Sequence, residues 1–217
     1  MALDTALEKA YKELRDLPPY VTAAKSGVDF AGGNFILPFF DLTYLISHPE
    51  VRVIEKESGK RLPQWLELIA LHYLITADGA PMGDDWIPYR QLPGAFIFEQ
   101  RFRGMAVDPI LKTFGSDPQG FHRAALALKG VPMSRTGDAA YMFHAFPKVR
   151  MGCILYLGDE DVSSAVNLLY DSAAPHYLHT EDLSYLGSYL AIALKARREH
   201  RSPAEAEHRE TDTHWRL

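Results

Sequence analysis

Apolar residues recur at helical spacing over positions 3–16, where Leu3, Leu7, Ala10, Tyr11 and Leu14 share one face. Pro18-Pro19 ends that helix, and a short second one is expected over 20–25, stopped by Gly27. After Gly32-Gly33 the period changes. Three β-prone runs, 34–40, 42–46 and 51–56, are separated only by Asp41 and by Ser47-His48-Pro49-Glu50. Such short connections predict an antiparallel meander. Pro38 has no N–H to give a ladder, so the first run is expected at an edge or to be irregular. Residues 63–77 return to a helix, with Pro63 in the first turn. Apart from Gln64, Glu67, His72 and Thr76 it is apolar on nearly every side, which predicts a central position.

Asp108-Pro109 and Asp117-Pro118 each set an N-cap acceptor before a proline at the first helical position. They predict helices over 109–114 and 118–129, with Gly115 and Gly130 as left-handed C-terminal residues. Residues 139–146 and 149–157 alternate about Pro147-Lys148 and predict a hairpin. In Gly158-Asp159-Glu160-Asp161, Asp159 reads as the cap of a helix over 160–170, although three carboxylates together also suit Mg²⁺ or Ca²⁺. Thr180 caps a long helix over 181–199, with Glu181 and Asp182 at its positive end and Lys195, Arg197 and Arg198 at its negative end. Residues 201–217 are polar and without period, and a mobile tail is expected there. Strands and helices mix without strict βαβ alternation. The expected fold is therefore α+β, an antiparallel sheet (the N-terminal meander plus the later hairpin) packed against several helices in one globular domain, 1–200.

Composition narrows the function. A net charge of −5 and a pI near 6.0 argue against a broad polyanion-binding surface, so no nucleic-acid partner is expected. Only 195–201 offers a local basic patch. The single cysteine, Cys153, excludes a disulfide framework, a zinc ribbon and a cysteine-held iron–sulphur cluster within one chain, and fits a reducing compartment. The first helix has balanced charges and lacks the apolar core of a signal peptide, and no apolar run is long enough to span a bilayer. A soluble cytoplasmic protein with no membrane partner is expected. Aromatic residues make up 12% of the chain, which favours a thick aromatic core with room for a pocket.

Candidate chemistry gathers first around the loop after the central helix. Asp78, Asp84 and Asp85 there are acids that burial could split into an acid and a base. Arg90, Arg101 or Arg103 could clamp an anionic group, and Trp86 or Tyr89 could supply a stacking wall. The pocket is expected where the 78–94 loop meets the 139–157 hairpin. The plainer reading is that Asp78-Gly79 ends the helix in a turn and the other acids face water. His176, His179 and Asp182 could bind zinc or iron if they point one way; otherwise both histidines sit in a loop and Asp182 serves the helix dipole. His144, on the strand face of Met142 and Phe146, and His72, on the apolar helix, are candidates for tetrapyrrole ligands or for ordinary core histidines. Cys153 lies mid-strand with Val149, Met151 and Leu155 and reads as inert core. There is no GxSxG elbow, no GxxxxGK[ST] phosphate loop and no GxGxxG after a strand.

The run LHYLITADGAPMGDDWIPYRQLPG, followed by FEQRF, GDAAYMFHAFPKV, GDED and LLYDSAAPHYLHTEDL, resembles an uncharacterised prokaryotic family known as a domain of unknown function. The resemblance covers about residues 5–195. It implies an origin among bacteria and archaea, some of whose members are fused to a cysteine-rich iron–sulphur domain. This chain has one cysteine and lacks that module, so no cluster of its own is expected. Asp78, Trp86, Arg90, Pro93, Gly94, Asp171, His176 and Asp182 stand at the motif positions. The favoured reading is a small-molecule or redox-cofactor binding protein, a tetrapyrrole being one candidate cofactor. The alternatives are an enzyme working through the loop carboxylates with Arg90, and a non-catalytic subunit whose exposed aromatics pack on a partner protein.

Overall fold

The structure, a computed structural model, describes residues 2–83 and 85–199; Asp84 and the expected tail at 201–217 lie outside the described residues. The chain opens with α1 (Ala2–Asp16), α2 (Pro19–Ser26), β1 (Asp29–Ala31), β2 (Asn34–Phe39), β3 (Leu42–Ser47), β4 (Val53–Glu55) and α3 (Gln64–Thr76). It continues through β5 (Trp86–Pro88), α4 (Glu99–Phe102), α5 (Asp108–Phe114), α6 (Pro118–Ala127) and β6 (Val131–Pro132). The last elements are β7 (Ala139–Phe146), β8 (Val149–Tyr156), β9 (Ala165–Asp171) and α7 (Thr180–Arg198). Antiparallel sheets and helices make this an α+β fold. No helix among the described residues is long and apolar enough to cross a membrane.

Two compact units divide the chain. The first holds residues up to Asp85, together with His144–Arg150 and Asp171–Asp182. Its sheet is the expected meander, in the order β1-β2-β3-β4. The three-residue β1 lies too close to the Gly32-Gly33 turn for the sequence pattern to reveal it, and it moves β2 to an inner position. Pro38 is nonetheless tolerated, because β1 pairs with Asn34–Ile36 and does not reach Pro38, so no ladder N–H is asked of it on that side. α3 is central to this unit: Leu66, Ile69, Leu71, Tyr73 and Leu74 are all buried, each aliphatic side chain stabilising the fold by about 1.5–3 kcal/mol. Its one buried acid, Glu67, accepts a 2.6 Å hydrogen bond from the Tyr11 hydroxyl of α1. Tyr73 stacks on Phe146 with ring centroids 4.4 Å apart, and Phe146 in turn meets Phe39.

The second unit comprises Trp86–Phe143, Met151–Tyr170 and the chain from Leu183 onward. The strands run in the order β5-β9-β8-β7-β6, with Met151 opposite Tyr170 and Tyr156 opposite Ala165. The hairpin at 139–157 is present as expected. The helix expected over 160–170 is instead β9. Asp159 does accept from the backbone N–H groups of Asp161 and Val162, at 2.9 and 2.8 Å, but within a turn. Beyond it Val166, Leu168 and Tyr170 bury alternate positions, and pairing with β8 outweighs the cap signal.

Asp117 caps α6 as expected, its carboxylate accepting from Gly120 N–H at 2.8 Å. Asp108 does not cap α5. It is already helical, because α4 runs into α5 through a π-helical turn at Arg103–Val107. That wide turn lets the helix pass Pro109, which has no N–H to offer. Gly115 and Gly130 are not left-handed either. Lys129 takes that conformation, with φ of 59°. A Cβ on Gly115 would stand 2.7 Å from the Leu111 carbonyl, and one on Gly130 would stand 2.7 Å from the Phe143 ring. Close approach, and not handedness, calls for glycine at both.

Candidate functional site

Asp171 ends β9 with its carboxylate wholly buried, which requires a full set of donors. Oδ1 accepts from the Gly83 and Ala173 backbone N–H groups at 2.8 and 2.9 Å. Oδ2 accepts from Arg150 Nε at 2.8 Å, and Arg150 Nη2 reaches both Oδ2 and the Gly83 carbonyl. Ser172 N–H donates to the Asp85 carbonyl at 3.0 Å, and the Tyr177 hydroxyl donates to that of Ala80. The loop after α3 is thus tied to segment 171–177 at Ala80, Gly83 and Asp85.

On that frame sit two imidazole–carboxylate pairs. His176 Nδ1 lies 2.6 Å from Asp78 Oδ2, both side chains about half exposed. This hydrogen bond, with a second from Ala80 N–H, holds the Asp78 carboxyl below its ordinary pKa. His72, near the end of α3, places Nδ1 3.1 and 3.0 Å from the two oxygens of Asp182, in the first turn of α7. A carboxylate only accepts, so the proton is on Nδ1 and His72 keeps Nε2 for other work. His179 meets the His72 ring edge-on, with centroids 5.9 Å apart. Burial, and then the charges of Asp78 and Asp171, raise the Tyr177 phenol.

The histidines and acid offered as metal ligands are therefore divided. His176 goes to Asp78, and Asp182 to His72, with His179 beside it. Among the described residues no three His, Cys, Asp or Glu side chains are grouped to hold a metal. His144 is exposed on β7, and partial burial and the Arg150 charge lower its pKa.

Other expected ligand-binding residues fall in the second unit. Trp86 lies over Gly152 of β8. Tyr89 is buried and stacked on Phe102 at 4.0 Å, so its ring forms core and not an open wall. Arg90 is exposed. Arg101 donates to the Tyr185 hydroxyl at 2.7 Å and lies over that ring.

A cavity of about 510 Å³ opens in the same unit, between the start of α6, the 133–138 loop and the start of β7. Pro118, Gln119 and His122 line it from one helix face, and Ala139 and Tyr141 from the strand. His122 Nδ1 is hydrogen-bonded to the Tyr141 hydroxyl, and burial raises that phenol's pKa. Arg135, at φ 62°, and Asp138 stand on the loop side; Asp138 accepts from Leu157 N–H at 2.7 Å. None of Asp78, Asp85, Trp86, Tyr89, Arg90, Arg101 and His144 lines this cavity. The sequence offered only a weak sign of it, the polar stretch Met133–Asp138 between a helix and a strand. No alternation or motif marks His122 as facing Tyr141.

Neither a comparison with curated proteins nor one with solved structures gives a match. A family model does match residues 18–193, which hold the whole loop after α3, both imidazole–carboxylate pairs and the cavity, and the chain accordingly belongs to the family described as domain of unknown function DUF3786.

Proposed function

We propose that this protein binds a small polar molecule in the cavity beside α6. The observation that carries the reading is the cavity itself. Its volume of about 510 Å³ falls within the roughly 300–1,000 Å³ of small-molecule sites. Its walls combine apolar surface (Pro118, Pro132, Met133) with a few polar groups able to fix an orientation, the His122–Tyr141 pair, Arg135 and Thr136. Arg135 is the cation available to an anionic group of the ligand, the role that the sequence pattern suggested for Arg90. The buried Cys153 suits a reducing compartment, and we place the protein in the cytoplasm of a prokaryote, acting on a small molecule and not on nucleic acid or membrane.

Native mass spectrometry of protein purified anaerobically from its own host, with an absorbance spectrum of the same sample, tests this. The expected result is a bound mass that is lost in His122→Ala and Arg135→Ala and kept in Arg90→Ala. A visible absorption band would identify the ligand as a redox cofactor or tetrapyrrole. A mass that survives both cavity substitutions would remove the site from the cavity.

A further inference from the structure

We propose that His72 and His179, in the first unit, together hold a divalent transition-metal ion, with Asp182 fixing His72 from behind. The site is separate from the cavity and independent of the function proposed there.

Three observations carry it. The first is the orientation of His72. Its Nδ1 faces both oxygens of Asp182 at 3.0–3.1 Å, so Nε2 is the ring nitrogen left with a lone pair. Metal-binding histidines almost always donate the far ring N–H to a carboxylate, a backbone carbonyl or water, which sets the tautomer and raises the ligand's basicity; here the acceptor is a carboxylate.

The second is charge. The Asp182 side chain is only 8% exposed, and a carboxylate so placed calls for a compensating cation. A cation on His72 Nε2 supplies the compensating charge through the ring.

The third is spacing. With metal–nitrogen bonds of about 2.0–2.1 Å, two imidazoles on one tetrahedral ion have centroids about 5 Å apart, and about 6.5 Å at the widest. The His72 and His179 rings are 5.9 Å apart, edge to face. His179 is exposed and free to close the remaining distance by a rotation of its own side chain.

His176 takes no part, since Asp78 holds its Nδ1 elsewhere. Two nitrogens leave the other positions of a tetrahedral ion to water or to a bound molecule, one more than sites with three protein ligands leave open. An all-imidazole protein contribution selects zinc, cobalt, nickel or copper over magnesium and calcium, which take oxygen ligands.

The test uses the full chain, stripped with a chelator and titrated with Co²⁺ by absorbance and with Zn²⁺ by calorimetry. One equivalent is expected whose affinity falls at least about tenfold in His179→Ala and about 10–100-fold in Asp182→Asn. It should vanish in His72→Ala and stay unchanged in His122→Ala. Histidines at 200, 208 and 214 can add weaker uptake, so the difference between variants is the readout. If His72→Ala fails to fold by circular dichroism, His179→Ala, changed at an exposed side chain, decides. No uptake by the unaltered chain, or uptake indifferent to His179 and Asp182, overturns the site.

Discussion

Asp171 and Arg150 show how strongly one pair can hold a loop in place. The carboxylate is fully buried and the guanidinium about one-fifth exposed, so removing the cation strands a charge inside the protein. Arg150→Met is expected to destabilise the fold by about 3–5 kcal/mol, read from the midpoint of urea denaturation. Arg90→Ala, at an exposed side chain, should move it by less than about 0.5 kcal/mol. Asp78 behaves differently. Its pKa is depressed in the folded chain, so its pair with His176 adds stability above the ordinary aspartate pKa and loses it as pH falls through the lowered value. In His176→Ala the Asp78 carboxyl should titrate nearer its ordinary value, as followed by carbon NMR; an unmoved titration would assign the depression to the Ala80 N–H and the Lys25 charge. Asp78, His176 and Asp182 were legible as polar residues at turns and caps. Their partners were not, because Asp78 and His176 are 98 positions apart and His72 and Asp182 are 110 apart. A periodicity window cannot join segments so distant.

At the scale of elements, local signals succeeded where a single interaction decides and failed where a neighbour overrides it. Asp117 caps α6 with its own side chain and also binds Arg198 of α7, at 2.9 Å. Asp117→Ala is expected to cost about 1 kcal/mol, within the usual range for a lost cap, measured by thermal unfolding. The identical Asp-Pro signal at Asp108 misled because an upstream helix already runs through it. Likewise the cap signal at Asp159 gave way to sheet pairing, a contact with β8 that the 160–170 segment does not encode by itself. The long helix α7 carries the clearest conflict between propensity and packing. Gly187 sits mid-helix, where alanine ordinarily stabilises by roughly 1 kcal/mol. A Cβ there would stand 2.5 Å from Phe102 and 3.0 Å from the Tyr170 hydroxyl. Phe102 cannot yield easily, being stacked on Tyr89 and tilted against Tyr170. Gly187→Ala is therefore expected to lower Tm, with an overpacking cost of about 1–3 kcal/mol exceeding the helix gain. A raised Tm would show that the ring moves aside.

For the whole molecule, the sequence carried the fold class and most helices, because hydrophobic period reports which face is buried whatever covers it. It left open what covers it: where the cavity forms, and which acids meet which histidines. Cys153 turns the buried core into something measurable. The lone thiol sits at the centre of β8, paired with Leu168 of β9, with no exposed surface, and burial pushes its pKa well above the ordinary thiol value. Both effects act the same way, since a disulfide reagent needs a thiolate that it can reach. No side-chain movement at the surface exposes Cys153; β8 must separate from its neighbours. Labelling by a soluble aromatic disulfide at pH 8 should therefore be slower than in the unfolded chain by at least about a thousandfold, the opening ratio that a stability of some 5 kcal/mol implies. In guanidinium chloride the same reaction should run to one equivalent at once. The labelling rate should also rise in step with the destabilisation of Arg150→Met if the molecule opens as one body. An unchanged rate in that variant would mean that the strand carrying Cys153 opens independently of the loop that Arg150 holds.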